Sequence, residues 1–95
     1  MKSGITLILE ERVQQLNKHK RSVEDDIKYN CNGELREGAI ALICNNGDGD
    51  LSKFPLKWND IMCRHLINKP YKERLIITGA LIAAEIDRIQ HLETS

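Results

Sequence analysis

Residues 69–92 read KPYKERLIITGALIAAEIDRIQHL, the longest helix-forming stretch of the chain. Pro70 suits the first turn of a helix, because its missing N–H would have no partner there. Only Gly79 lowers the helix propensity of the interior, so the stretch predicts one helix of about 20 residues. Its first half is apolar on every side, which is typical of a central helix covered by several neighbours. The most regular stripe, at 4-3-4-3 spacing, is formed by Leu75, Gly79, Ile82, Ile86 and Ile89.

Three shorter helices are predicted ahead of this one. In the first, Leu9, Val13 and Leu16 recur at helical spacing and are expected to form its buried stripe. Ser22 and Asp25 have the spacing of a capping box, so a short helical turn is expected after Ser22. No segment alternates apolar and polar residues as a half-buried strand does. The predicted helices cover residues 6–20, 33–45 and 58–66.

The sequence therefore predicts an all-α fold, a small four-helix arrangement with a long central C-terminal helix, in one domain over residues 1–95. Apolar residues make up 41% of the chain and charged residues 29%, which is typical of a globular domain. The formal net charge of zero argues against general nucleic-acid binding. The chain has three cysteines and no Cys-x-x-Cys pair, which favours reduced thiols in a cytoplasmic protein. It has no apolar run long enough to span a bilayer, so no membrane attachment is expected.

Two features indicate a candidate ligand site. Trp58 is the only tryptophan, and beside Phe54 and Tyr71 it could line a pocket for a planar ligand by stacking on a base; alternatively, it caps a small core. Glu85 lies at the edge of the apolar surface of the last helix, where a carboxylate needs a partner. Arg88, three residues further on, favours a structural ion pair, and a role of Glu85 in a site stays open.

A series of short motifs runs through the chain in the order Glu11-Arg12-x-x-Gln15, Asp25-Asp26, Gly33-Glu34-Leu35, Trp58, Lys69-Pro70, Arg74-Leu75 and Gly79-Ala80-Leu81-x-x-Ala84-Glu85-Ile86-Asp87-Arg88. This order resembles a family of small phage and prophage proteins, and the motifs of the last helix are the most specific. The chain departs from that family where Lys18-His19-Lys20 stands in place of a Gly-Trp pair and a later His. The resemblance implies a phage-type accessory protein and assigns it no activity.

A second pattern runs from Gly33-Glu34-x-x-Glu37 to Asn46-Gly47-Asp48. It is similar to the motif-bearing helix of the MazG-like all-α nucleoside triphosphate pyrophosphohydrolases. That resemblance implies Mg²⁺-dependent hydrolysis, with the ion as cofactor only if this alternative holds. The motif is broken, because Leu35 follows Glu34 where a second Glu should be. In the last helix Glu85 and Asp87 are two residues apart, and side chains at that spacing do not share a helix face. The carboxylates implied are Glu34, Glu37, Glu85 and Asp87.

The broken motif favours a binding protein over an enzyme. The leading hypothesis is a phage-type accessory protein, for example one directed against a host defence, that binds a host protein or a small nucleotide-like ligand without turnover. The alternatives are a divergent metal-dependent nucleotide pyrophosphohydrolase and a purely structural helical oligomer. A homo-oligomer is expected because the last helix is so apolar, and Gly79 and Ala83 would let a helix of a second copy approach closely. The predicted ligand-binding residues are Glu11, Arg12, Gln15, Asp25, Asp26, Glu34, Trp58, Lys69, Glu85 and Arg88.

Overall fold

The computed structural model describes residues 1–17, 22–45 and 49–94. The basic segment Lys18-His19-Lys20 and the Asn46-Gly47-Asp48 motif lie outside these ranges. The described part contains helices and no strand, so the predicted all-α fold with a long C-terminal helix is confirmed. The helices are α1 (Gly4–Asn17), α2 (Val23–Tyr29), α3 (Glu34–Cys44), α4 (Asp60–Ile67) and α5 (Tyr71–Thr94).

Helix α2 is a fifth helix beyond the four of the predicted arrangement, and it stands where the capping box indicated only a helical turn. The Ser22 hydroxyl accepts a hydrogen bond from the Asp25 N–H at 3.1 Å. Three acidic residues in its first turn also favour the helix, because they complement the positive end of its dipole. Helix α4 begins in the same way, with Asn59 Oδ1 accepting from the Met62 N–H at 3.1 Å.

Helix α5 is the centre of the fold, since α1, α2 and α3 all pack on it. Helix α3 runs antiparallel to α5, because Arg74, at the start of α5, donates to the backbone oxygens of Leu42 and Asn45 at the end of α3. Those two bonds, at 2.8 and 3.1 Å, satisfy carbonyls at the C-terminus of α3. The core lies between these two helices. Its completely buried side chains are Leu35, Leu42, Ala80 and Ala84.

Helix α1 runs in the same direction as α5 and packs against it at Gly79. A Cβ at Gly79 would lie 2.6 Å from Ile8 Cδ1, so the helix that approaches Gly79 closely belongs to the same chain. The helix of a second copy therefore cannot approach α5 at Gly79 without displacing α1. Further along, Arg12 of α1 reaches Asp87 of α5.

The stripe predicted to bury α1 lies on its outside, so that prediction was wrong. Leu9 is 60% exposed, and Val13 and Leu16 are 43% and 38% exposed. Arg12 and Gln15 point inward instead and are buried. Helical spacing identifies side chains that share a face, but it does not identify which element covers that face.

The described molecule is a flat body of 41 × 36 × 21 Å. Within the described ranges, no helix combines the length and the apolar character that a membrane span requires.

Candidate functional site

An open groove of about 910 Å³ lies between α1, α2, the segment before α4, α4 itself and the first half of α5. Its volume is at the upper end of the range of about 300–1,000 Å³ that small-molecule sites occupy. Six of the ten predicted ligand-binding residues line it, although they come from distant parts of the sequence. These are Glu11, Gln15, Asp25, Asp26, Trp58 and Lys69.

A chain of hydrogen bonds fixes one wall of the groove. Trp58 Nε1 donates to Asn30 Oδ1 at 3.2 Å, and Asn30 Nδ2 donates to Asp26 Oδ1 at 2.8 Å. Asp26 is 1% exposed, so hydrogen bonds must replace the water contacts that its carboxylate loses on burial. The side-chain amide of Asn30, at the end of α2, thus orients both the indole and the buried carboxylate.

The indole of Trp58 is seated on the backbone of α3. A Cβ at Gly38 would lie 2.4 Å from one carbon of the Trp58 ring, so only glycine leaves room for the ring there. Phe54 also packs against the indole, at a centroid distance of 6.2 Å and an interplanar angle of 38°. These contacts leave Trp58 half-buried, with part of the ring facing the groove. A fixed aromatic surface of this kind can stack on a planar ligand.

Acidic side chains dominate the polar part of the groove. Glu11 accepts a hydrogen bond from Gln15 Nε2 at 3.2 Å, and Asp25 is exposed at the start of α2. The ammonium group of Lys69 lies 3.8 Å from the carboxylate of Glu73, which leaves it only loosely paired. The groove is therefore net negative and suits a cationic or neutral polar ligand better than a bare anion.

The remaining wall is apolar and comes mainly from α4 and α5. A planar ligand would bury part of this wall, which adds hydrophobic free energy to stacking on Trp58. The side chains are Met62, Leu66, Ile76, Ile77 and Leu81.

Glu85 and Arg88 lie outside the groove and bind each other. Arg88 Nε donates to Glu85 Oε1 at 2.6 Å and Nη2 donates to Oε2 at 3.1 Å, a two-pronged ion pair. The hydrogen bonds with Glu85 raise the pKa of Arg88 above its already high value. Partial burial of the guanidinium lowers the pKa, but by less. The structural interpretation of Glu85 therefore accounts for its geometry, and the structure does not bring it to Trp58.

Glu34 also lies outside the groove, at the start of α3. Burial opposes its ionisation and is the largest single influence on its pKa, but the hydrogen bonds from Lys57 and the Asn32 N–H outweigh it. The net result is a lowered pKa. The Lys57 Nζ to Glu34 Oε2 distance is 2.9 Å, and the Asn32 N to Glu34 Oε1 distance is 2.6 Å. Gly33 precedes the helix with φ 84°, a backbone conformation that glycine adopts readily.

Arg12 is the fourth predicted residue outside the groove. Its side chain is 7% exposed, and Nη2 donates to Asp87 Oδ2 at 3.0 Å. Nε and Nη1 have no hydrogen-bond partner among the described residues. The cost of burying this charge offsets much of what the ion pair contributes to the contact between α1 and α5.

The carboxylates of the hydrolase alternative are not gathered at one point. Glu34, Glu85 and Asp87 each pair with a different basic side chain, namely Lys57, Arg88 and Arg12. In the part of the chain that the structure describes, no group of three or more His, Cys, Asp or Glu side chains could hold a metal ion. These residues therefore do not fit the magnesium site that the MazG-like motif implies.

Sequence reasoning missed several residues of the groove, above all Asn30 and Tyr29 at the end of α2. Asn30 has no distinctive signal in the sequence, because asparagine is common in turns, and its side chain bonds to residues that are 28 and 4 positions away. His65 of α4 also lines the groove wall. Tyr71, expected beside Trp58, is 60% exposed elsewhere, with the Arg74 guanidinium 5.4 Å from its ring centroid.

Fold and groove together define a small all-α domain with one wall suited to a planar ligand. Comparisons of the chain with protein-family models, with curated proteins and with solved structures found no match. The resemblances to a phage family and to MazG-like enzymes therefore stay predictions. Any functional conclusion depends on the groove itself.

Proposed function

We propose that this protein is a non-enzymatic binding module of the phage accessory type, and that the groove holds a small nucleotide-like ligand. The observation that carries the proposal is the hydrogen-bonded series Trp58, Asn30 and Asp26 along one wall of a ligand-sized groove. Since these side chains are held before any ligand arrives, binding costs little ordering of the protein.

The charges of the groove narrow the ligand's chemistry. A base would stack on Trp58 and contact the apolar wall of α5, and its N–H groups or the sugar hydroxyls would donate to Glu11 and Asp25. Phosphates would be repelled, because the acidic side chains that line the groove outnumber the basic ones. A nucleoside, or a nucleotide whose phosphates are neutralised by magnesium, should therefore bind better than a free nucleotide.

The absence of a gathered carboxylate set supports binding without turnover. Hydrolysis of a phosphoanhydride by a two-metal or one-metal site needs carboxylates that share an ion. The candidates Glu34, Glu85 and Asp87 are each occupied by a basic partner. None of the three lines the groove.

A thermal-shift screen tests the proposal directly. Nucleosides and nucleotides, each with and without magnesium, are added at increasing concentration. A ligand at about 100 times its Kd stabilises the folded state by about 2.7 kcal/mol, which should raise Tm by several degrees. No shift with any nucleoside or magnesium nucleotide overturns the proposal.

Matched variants locate the binding. Asp25→Asn should lower the affinity, and Glu24→Gln should not, because both acids are exposed in the first turn of α2 but only Asp25 lines the groove. An equal effect of the two variants contradicts the assignment of the groove. Magnesium-dependent pyrophosphate release that is lost in Glu34→Gln would establish the hydrolase alternative instead.

A further inference from the structure

The outer side of helices α1 and α5 exposes aliphatic side chains that no element of the described chain covers. On α1 these are Ile5, Leu9, Val13 and Leu16, which are between 38% and 82% exposed. They recur at spacings of three and four residues and so form one stripe along the helix. The polar residues of α1 that point to the groove lie on a different side of the helix.

Helix α5 carries a parallel stripe. Leu75, Ile82, Ile86 and Ile89 are between 41% and 50% exposed, and no charged residue falls on the stripe between its ends. We call the two stripes together the outer face.

Both stripes lie on the same flank of the α1–α5 contact. Ile8 packs on Gly79 at that contact, and the groove opens to one side of it, lined by Glu11 of α1 and by Ile76 and Ile77 of α5. At 3.6 residues per turn, the aliphatic stripe of each helix is turned to the side opposite its groove residues. The outer face is therefore continuous, and a partner on it would leave the groove open.

The area of the outer face is that of a protein interface. Eight aliphatic residues, about half exposed on average, present apolar surface on the order of 700 Å². The largest apolar patch of a typical monomer covers roughly 300–600 Å². A stable interface buries about 800 Å² on each partner.

The total accessible surface is also larger than that expected for a compact monomer. A compact monomer of 10.9 kDa is expected to expose roughly 5,600 Å². This chain exposes 6395 Å², an excess of about 800 Å².

We propose that the outer face packs against the same face of a second copy, forming a two-fold symmetric dimer with its two grooves on the outside. A second copy is the occupant that these observations favour, because it supplies an uncharged aliphatic surface of equal area. In a two-fold interface the same patch serves on both subunits, so one self-complementary face is sufficient. The proposal does not depend on what the groove binds.

Light scattering coupled to size exclusion measures the mass in solution. The full chain should elute at twice 10.9 kDa at micromolar concentration, and its Tm should rise with protein concentration because unfolding is linked to dissociation. A protein that stays at 10.9 kDa, with a Tm independent of concentration, overturns the proposal.

Charged variants identify the face. Ile86→Glu places a carboxylate among aliphatic side chains and should weaken the dimer by roughly a hundredfold. Ile61→Glu is the matched control, since Ile61 is 79% exposed on α4, away from the outer face, and should leave the dimer intact. Circular dichroism shows whether each variant is folded. A dimer that survives Ile86→Glu and Leu9→Glu, or one that Ile61→Glu dissociates, contradicts the assignment of this face.

Discussion

Replacing Gly38 by alanine tests how the aromatic wall of the groove is seated. A Cβ at this position would lie 2.4 and 2.5 Å from two ring carbons of Trp58, whereas ordinary contact begins at 3.4 Å. The indole would therefore have to move by about 1 Å. Its neighbours oppose that movement, because Trp58 Nε1 donates to Asn30 and its ring packs on Phe54.

Two contributions of opposite sign determine the free energy of unfolding of Gly38→Ala. Alanine in place of glycine within a helix stabilises the folded state by roughly 0.5–1 kcal/mol. Overpacking costs about 1–3 kcal/mol, and a broken hydrogen bond between Trp58 and Asn30 costs about 1 kcal/mol more. The net expectation is a loss of about 1–3 kcal/mol, and each kcal/mol lowers Tm by roughly 4–8 °C in a domain of this size.

Urea unfolding followed by circular dichroism measures this loss, at one protein concentration for all variants. Gly4→Ala is the control, since a Cβ at Gly4 would meet no atom within 4 Å. In a Trp58→Leu background the ring is gone, so Gly38→Ala should become neutral or stabilising. A Gly38→Ala protein that is as stable as the wild type, with unchanged Trp58 fluorescence, would refute the proposed seating of the indole.

Three further predictions follow from buried polar groups. Arg74→Met should lower the free energy of unfolding by about 2–3 kcal/mol in urea titrations, because it removes the guanidinium that donates to the Leu42 and Asn45 carbonyls at the end of α3; a loss below about 0.5 kcal/mol contradicts this. The lowered pKa of Glu34 means that its ionised form stabilises the fold above the usual carboxyl range and loses this effect as pH falls through the folded-state pKa. Glu34→Gln should therefore be less stable than the wild type near pH 7, with a smaller difference at about pH 3, and an equal difference at both pH values would exclude this linkage. Burial, with a smaller contribution from a nearby carboxylate, raises the pKa of Cys63, so a thiol reagent should modify exposed Cys31 and Cys44 first; equal rates for all three would contradict its burial.

The fold was predictable from the sequence because its strongest signals are local. Pro70, placed just before α5, and the long stretch that follows predicted that helix without any tertiary information. The capping residue Ser22 indicated the position of α2, although seven residues are too few for a helix that is stable without neighbours. The packing of α2 on α5 makes it a helix rather than a single turn. That contact is not encoded in any short motif.

The groove was predictable only in part, for the same physical reason. Residue type singled out Trp58, because a large aromatic side chain is usually partly buried, whereas Asp25 and Asp26 were indicated only by the motif order that resembles the phage family. The residue that joins them, Asn30, is a common turn residue and carries no such signal. The ion pair of Glu85 with Arg88, at 2.6 Å, accounts for the position of the carboxylate, and it depends on side-chain geometry as well as on spacing.

Helix α1 shows where periodicity stops being informative. Its aliphatic stripe predicted a buried face, yet in the single chain that face is open and the buried positions hold Arg12 and Gln15. The amphipathic rule states that a stripe needs a cover, and it does not state that the cover comes from the same chain. If a second copy covers the outer face, Leu9 and Val13 become buried as their spacing predicts, and α1 has contacts on two sides.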